Sequence, residues 1–125
     1  MPGEVPRVIV VEDDESMSRA IERILRAGGF VTESFASAEA ALEADAATTS
    51  DCLVLDISLP GMSGFDLYRR LAPAGEPLKA IFITAHDEPA VRREAERLDA
   101  GGYLPKPFSG RALLDAVIRA VARDR

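Results

Sequence analysis

Cys52-Leu53-Val54-Leu55 is an unbroken apolar run, too short for a helix and without polar alternation. Such a run suits a strand covered on both faces, as in a parallel sheet held between two layers of helix. The run stops on a carboxylate, Asp56, and Pro60-Gly61 turns the chain shortly afterwards. An ionised carboxylate is costly to bury unless it is paired or bound to a cation. The carboxyl end of a buried strand escapes that conflict, because ligands of open α/β sheets sit along that edge. Asp56 is therefore the candidate reactive group, set against the plainer alternative of a loop or helix-capping aspartate.

The rest of the chain repeats the pattern. After a short proline-containing lead, Arg7 to Val11 reads as a second buried strand and runs into Glu12-Asp13-Asp14-Glu15. Ser16 to Ala27 carries Met17, Ala20, Ile21, Ile24 and Leu25 at helical spacing, and Gly28-Gly29 ends it. Phe30 to Phe35 alternates and reads as a more exposed strand, and Ser37 caps an alanine-rich helix expected over Ala38 to Ala47. Thr48 to Ser50 is read as loop. Beyond Asp56, Pro60 to Gly64 leads into a helix of about two turns bearing Phe65, Leu67, Tyr68 and Leu71. Pro73 to Pro77 reads as the clearest linker. Lys79 to Ile83 is a further apolar strand that ends at Thr84-Ala85-His86. The helix expected over Asp87 to Leu98 has Pro89 in its first turn, and its apolar face (Val91, Ala95, Leu98) is thin, so it should be the least firmly packed. Gly101 to Leu104 makes the last strand, Pro105-Lys106-Pro107-Phe108 follows, and Ser109 caps a helix with Leu113, Leu114, Val117, Ile118 and Val121.

Five strands alternating with five helices imply a parallel sheet with right-handed crossovers and helices on both faces. That is the α/β, flavodoxin-like, doubly wound architecture, a (βα)5 unit with strand order 2-1-3-4-5. At 125 residues, with 47% hydrophobic and 29% charged residues, the chain is expected to form a single domain over residues 1–125. One cysteine and one histidine leave neither a disulfide framework nor a zinc site, and Cys52 reads as a small core hydrophobe. No apolar run approaches a membrane span and no signal peptide is visible, which points to the cytoplasm without membrane contact. A net charge of −6 argues against direct contact with nucleic acid over a broad face.

The topology brings Glu12, Asp13 and Asp14, then Asp56, Thr84 and Lys106, to one sheet edge. Carboxylates this close repel and need a cation to coexist, and all-oxygen ligands select Mg²⁺ or Mn²⁺. Mg²⁺ favours a phosphate as an additional ligand. Thr84 can hydrogen-bond one phosphoryl oxygen and Lys106 can neutralise another. Asp56 then fits in-line attack on phosphorus.

With these residues in place, the chain resembles the receiver domain of two-component response regulators, from about Val8 to Val121. The marks are the acidic pair after strand one, Asp56 followed by Pro60-Gly61, Thr84-Ala85, and Lys106-Pro107-Phe108. In the family the second acid lies four residues before the first buried hydrophobe of the helix. With Met17 as that hydrophobe, Asp13 becomes the direct metal ligand and Glu12 its partner; the other alignment uses Asp13 and Asp14. The resemblance implies that Asp56 is both phosphoacceptor and metal ligand, with the Ser58 backbone carbonyl supplying another oxygen. It implies that Thr84 moves toward the phosphate while Tyr103 turns inward, that Ala85 leaves access to the phosphoryl group, and that Lys106-Pro107 is cis. Asp14 and His86 are possible modulators, the first alternatively a helix-start charge and the second a solvated loop residue. The implied donor is a sensor histidine kinase or histidine phosphotransfer protein, and the chain is implied to be no enzyme beyond catalysing its own phosphorylation and dephosphorylation. The implied output is a face of the fourth helix, fifth strand and fifth helix. It would meet a target protein or a DNA-binding output domain absent from the chain, or a second copy in a phosphorylation-linked homodimer.

Two departures from the family stand out. Asp99 occupies a position where a glycine usually ends the fourth helix, and Pro105 stiffens the loop before the lysine. Other classes fit less well. A haloacid-dehalogenase-type phosphatase carries a second acid where Ser58 stands, and a nucleotide-binding module needs a glycine-rich loop after strand one. A degenerate receiver acting as a phosphorylation-independent interaction module is the remaining alternative. Ending at Arg125, the chain is expected to be either a complete regulator or the receiver part of a longer one.

Overall fold

Each segment read as a strand enters one parallel sheet. The structure, a computed structural model, describes residues 5–72 and 78–123, so the Pro73 to Pro77 linker and the start of the lead lie outside the described residues. The elements are Arg7–Val11 (β1), Glu15–Ala27 (α1), Val31–Phe35 (β2), Ala38–Glu43 (α2), Cys52–Asp56 (β3), Gly64–Leu71 (α3), Ala80–Thr84 (β4), Pro89–Leu98 (α4), Gly101–Pro105 (β5) and Gly110–Ala122 (α5). The strand order is β2-β1-β3-β4-β5, the doubly wound order expected.

Alternation of side chains splits the core in two. Ile9, Val11, Leu53, Leu55 and Phe82 pack toward α2, α3 and α4. Val8, Val10, Cys52, Val54, Ile81 and Ile83 pack toward α1 and α5, through Ile21, Leu25, Leu113 and Val117. Every residue of β3 and β4 is buried, whereas β2 and β5, at the sheet edges, are half-exposed. Burial pushes the Cys52 thiol up to about 12, which keeps it protonated as a core group. Among the described residues no helix is long and apolar enough to cross a membrane.

Side-chain caps fix where the helices begin. Asp14, Ser37, Ser63 and Ser109 each accept a hydrogen bond from the backbone N–H three residues on. Asp14 caps α1 through Met17 N at 3.1 Å, so the helix starts at Glu15 rather than Ser16. The alanine-rich helix ends at Glu43 and not at Ala47. Asp45 turns left-handed (φ 52°) and a 3₁₀ turn, Ala46–Thr49, follows, which buries Ala46. Helix propensity would have carried α2 through this stretch; burial of Ala46 overrides it. Likewise α4 starts at Pro89 with Glu88 as its cap, leaving Asp87 in the preceding loop.

Two features position the functional edge. Gly61 adopts φ +82° in the turn after β3, a conformation that suits glycine. Gly64 opens α3 so close to β3 that a β-carbon would lie 2.4 Å from the Asp56 carbonyl oxygen and 2.9 Å from the Ile57 Cα. Its N–H donates to the Ile57 carbonyl at 2.9 Å.

Helix α4 is held differently from the others. Its one fully buried residue is Ala95. Polar ties supplement that contact: Glu94 pairs with Arg69 of α3 and with Arg97 at 2.5 Å, and Asp99 pairs with Arg123 at 3.3 Å. Asp99, which ends α4, is left-handed (φ 49°, ψ 43°), the conformation for which glycine is the usual choice.

Two outcomes follow from this packing. Gly64→Ala should cost about 1–3 kcal/mol in urea unfolding, because backbone rather than a flexible side chain fills the space. Native-state hydrogen exchange should be faster over Pro89–Leu98 than over α1 or α5, since little apolar burial protects α4; equal protection would contradict the weak anchoring.

Candidate functional site

The strand ends gather the side chains that the sequence placed there. Glu12 directly follows β1, and its N–H extends the β1–β2 ladder by donating to the Phe35 carbonyl at 3.1 Å. Asp56 is the last residue of β3 and Thr84 the last of β4. Lys106 follows β5, and its N–H donates to the Thr84 carbonyl at 2.7 Å. Glu12, Asp56 and Thr84 are buried, while Asp13 and Asp14 are exposed.

Carboxylate oxygens of Glu12, Asp13 and Asp56 lie within 4.8 Å of one another. The Lys106 ammonium bridges two of these groups, donating to Glu12 Oε1 at 3.1 Å and to Asp56 Oδ2 at 3.4 Å. The second Glu12 oxygen accepts from Asp14 N–H at 3.1 Å, and Asp56 Oδ1 accepts from Ser58 N–H at 3.0 Å. Burial, reinforced by the nearby Asp56 carboxylate, pushes the Glu12 carboxyl up to about 7, although the Asp14 N–H and Lys106 oppose the rise. Burial works to lower the Lys106 ammonium, but its hydrogen bond to Glu12 and the charge of Asp56 outweigh it and hold the group above its ordinary range.

This donor set fits a hard divalent cation. It is all oxygen, it contains one exposed and two buried acids, and one ammonium balances only part of the negative charge. Glu12, Asp13 and Asp56 are the residues that would hold Mg²⁺ or Mn²⁺. A groove lined by Asp13, Glu15, Ser18, Arg19 and Phe35 opens beside the acids.

The remaining candidates occupy the loop after β4 and the edge strand. The Thr84 hydroxyl accepts from His86 N–H at 2.9 Å, and Ala85 and His86 are exposed. The Lys106-Pro107 peptide is cis. Tyr103 is half-buried, paired in register with Phe82. Its hydroxyl donates to Asp87 Oδ1 at 2.8 Å, and burial together with that carboxylate pushes the phenol up to about 12. The sequence reading did not single out Asp87 or Arg92, because nothing local marks a loop acid as the partner of a tyrosine on another strand. It also passed over Gly64; the Ser63-Gly64 pair before an apolar helix was the available signal.

A doubly wound sheet thus gathers an acid after β1, an acid at the end of β3, a hydroxyl at the end of β4 and a lysine after β5 along one edge. The sequence matches the response regulator receiver domain over residues 8–118. Nodulation protein W of Bradyrhizobium diazoefficiens is 41% identical over 118 residues, which cover 94% of this chain and 52% of that protein. The transcriptional regulatory protein FixJ of Azorhizobium caulinodans is 32% identical over 124 residues, 99% of this chain and 58% of that protein. A solved response regulator receiver protein from Burkholderia phymatum superposes with a TM-score of 0.82 at 38% identity, covering 95% of this chain and 97% of that one. The chain belongs to the response regulator receiver domain family. It spans about half the length of the curated relatives it matches.

The raised Glu12 carboxyl has a consequence for stability. An acid whose pKa is higher folded (about 7) than its ordinary 4.5 binds more protons in the folded state between those values. Stability of the metal-free protein therefore falls as pH rises through that window. Glu12→Gln should flatten this slope in urea titrations from about pH 5 to about pH 8; equal slopes in the two proteins would show that Glu12 is not the titrating group.

Proposed function

We propose that this receiver accepts a phosphoryl group on Asp56 from the phosphohistidine of a sensor histidine kinase or histidine phosphotransfer protein, in a Mg²⁺-dependent reaction. The observation that carries this reading is the placement of Asp56. Its carboxylate ends a fully buried strand, 3.4 Å from the Lys106 ammonium and beside the oxygens of Glu12 and Asp13. An Asp56 oxygen attacks phosphorus in line, the phosphorus–nitrogen bond to the donor imidazole breaks as the oxygen–phosphorus bond forms, and the imidazole takes up a proton. Water later cleaves the acyl phosphate, releasing inorganic phosphate and restoring the carboxylate, so the receiver's catalysis is confined to its own phosphorylation and dephosphorylation.

The chain's residues divide this work. Glu12, Asp13, Asp56 and the Ser58 backbone carbonyl would hold the cation, Asp13 as the direct acidic ligand and Glu12 as its partner. Asp14 is left to its capping of α1 through Met17. The cation, when bound, neutralises the carboxylates and the incoming phosphoryl oxygens. Lys106 neutralises a further phosphoryl oxygen, exchanging part of its contact with Asp56 for the new charge. The Thr84 hydroxyl gives up its bond from His86 N–H and donates to the phosphoryl group. Ala85 leaves the approach open, and His86 sits where it can modulate water access.

A group carrying about −2 charge creates hydrogen bonds that bias an element with two arrangements. Movement of Thr84 and inward rotation of Tyr103 reshape the face formed by α4, β5 and α5, and α4, with a single fully buried residue, is the part free to respond. We take residues 1–125 as one receiver unit. Its output is contact with a target protein, with a DNA-binding output domain, or with a second copy of itself; the FixJ relative is named a transcriptional regulatory protein.

Intact mass after incubation with acetyl phosphate tests the chemistry. Wild type should gain one phosphoryl group with Mg²⁺ and none after chelation, and Asp56→Asn should gain none. A folded wild type that binds Mg²⁺ yet gains no mass would instead favour a receiver that acts by protein contact alone.

A further inference from the structure

We propose that Asp87 and Arg92 are positioning residues for the switch: together they clamp the Tyr103 ring at the outer rim of β5 until Asp56 is loaded. The inference rests on the phosphoacceptor reading above and extends it to residues that reading does not use.

The clamp is a closed triangle. The two oxygens of the Asp87 carboxylate serve different partners, Oδ1 accepting from the Tyr103 hydroxyl and Oδ2 from Arg92 Nη2, each at 2.8 Å. The Arg92 guanidinium carbon stands 4.8 Å from the centroid of the same Tyr103 ring. Arg92 lies in the first turn of α4, so the triangle joins the β4–α4 loop, the start of α4 and the middle of β5. The phenol is thus held at its hydroxyl by the carboxylate and on its face by the cation. Asp87 follows Thr84 by three residues, and between them the Thr84 hydroxyl fastens the His86 N–H at 2.9 Å. One short loop therefore carries two fastenings: Thr84 holds the loop backbone, and Asp87 holds Tyr103.

This arrangement couples the ends of the loop. When the Thr84 hydroxyl turns to a phosphoryl oxygen, His86 N–H loses its acceptor and the loop bearing Asp87 is released. Tyr103 can leave the rim only when its bond to Asp87 breaks. Exposed polar pairs are individually weak, so the clamp biases the ring without locking it. By linkage, the factor by which the clamp weakens binding at Asp56 equals the factor by which loading of Asp56 weakens the clamp.

Beryllofluoride, which stands in for a phosphoryl group on a carboxylate, provides the probe. The chain has two tyrosines and no tryptophan, so 3-fluorotyrosine labelling yields two ¹⁹F signals, and Tyr103→Phe assigns them. With Mg²⁺ present, Asp87→Ala should tighten beryllofluoride binding by roughly threefold or more. It should also move the Tyr103 signal toward its loaded position before any beryllofluoride is added. Arg92→Ala should act in the same direction. Asp87→Asn, which keeps an acceptor for the phenol, should fall between Asp87→Ala and wild type. Both side chains are exposed, so their loss leaves the core intact. Wild-type affinity and an unmoved Tyr103 signal in Asp87→Ala would overturn the clamp while leaving the phosphoacceptor reading in place. Failure of wild type itself to bind beryllofluoride would overturn that reading and the clamp with it.

Discussion

Repulsion among Glu12, Asp13 and Asp56 is the constraint around which the molecule is arranged. Carboxylates with oxygens inside 4.8 Å of one another are not a resting place that a chain reaches by relaxation. They stay together because β1 and β3 are fully apolar in their interiors and hydrogen-bonded in register, Val11 opposite Leu55, so the acids that follow have nowhere else to go. Lys106 arrives from the far side of the sheet and offsets part of the charge. It is a lysine shared between two acids, and sharing leaves each acid incompletely neutralised. An edge in that condition is ready for a cation and for a ligand that brings its own negative oxygens to the ammonium.

Much of this was legible in the chain because burial writes itself into the apolar pattern. Arg7 to Val11, Cys52 to Leu55 and Lys79 to Ile83 are short runs with no polar interruption, and each proved to be an interior strand within a residue at either end. The strand-end acids, Thr84 and Lys106 could be placed at one edge because topology alone determines where parallel strands finish. Boundaries set by single tertiary contacts were not legible. Ala38 to Ala47 is rich in helix formers, and Asp45, which tolerates the left-handed turn, together with the burial of Ala46 accounts for the break at Ala44 and Asp45. Asp87 reads as a helix-start charge until β5 is placed beside it. The role of Gly64 depends on a backbone oxygen of another element, which no local pattern records.

The two faces of the sheet are held by different physics. On one, α1 and α5 bury a continuous apolar layer through Ile21, Leu25, Leu113 and Val117. On the other, α3 packs Phe65 and Tyr68 against Phe82, with ring centroids 4.9 and 5.6 Å away, but α4 settles beside them with a thin apolar contact and a set of ion pairs. Apolar burial resists displacement at every salt concentration, whereas exposed ion pairs loosen as they are screened. Helix α4, beside Tyr103, is thus the helix whose attachment depends most on exposed ion pairs.

Gly64 bears on how such a site could be transplanted. A designer copying the edge into another doubly wound scaffold would carry over Glu12, Asp13, Asp56, Thr84 and Lys106 and regard the set as complete. The helix that follows Asp56, however, starts so near that one added methyl group would meet the Asp56 carbonyl oxygen at 2.4 Å. In a scaffold with any other residue at that point the helix would stand off, the turn through Pro60 and Gly61 would open, and the Asp56 carboxylate would lose its fixed bearing on the lysine. The smallest side chain in the region is therefore part of the minimal transferable unit, although it contributes no functional atom of its own.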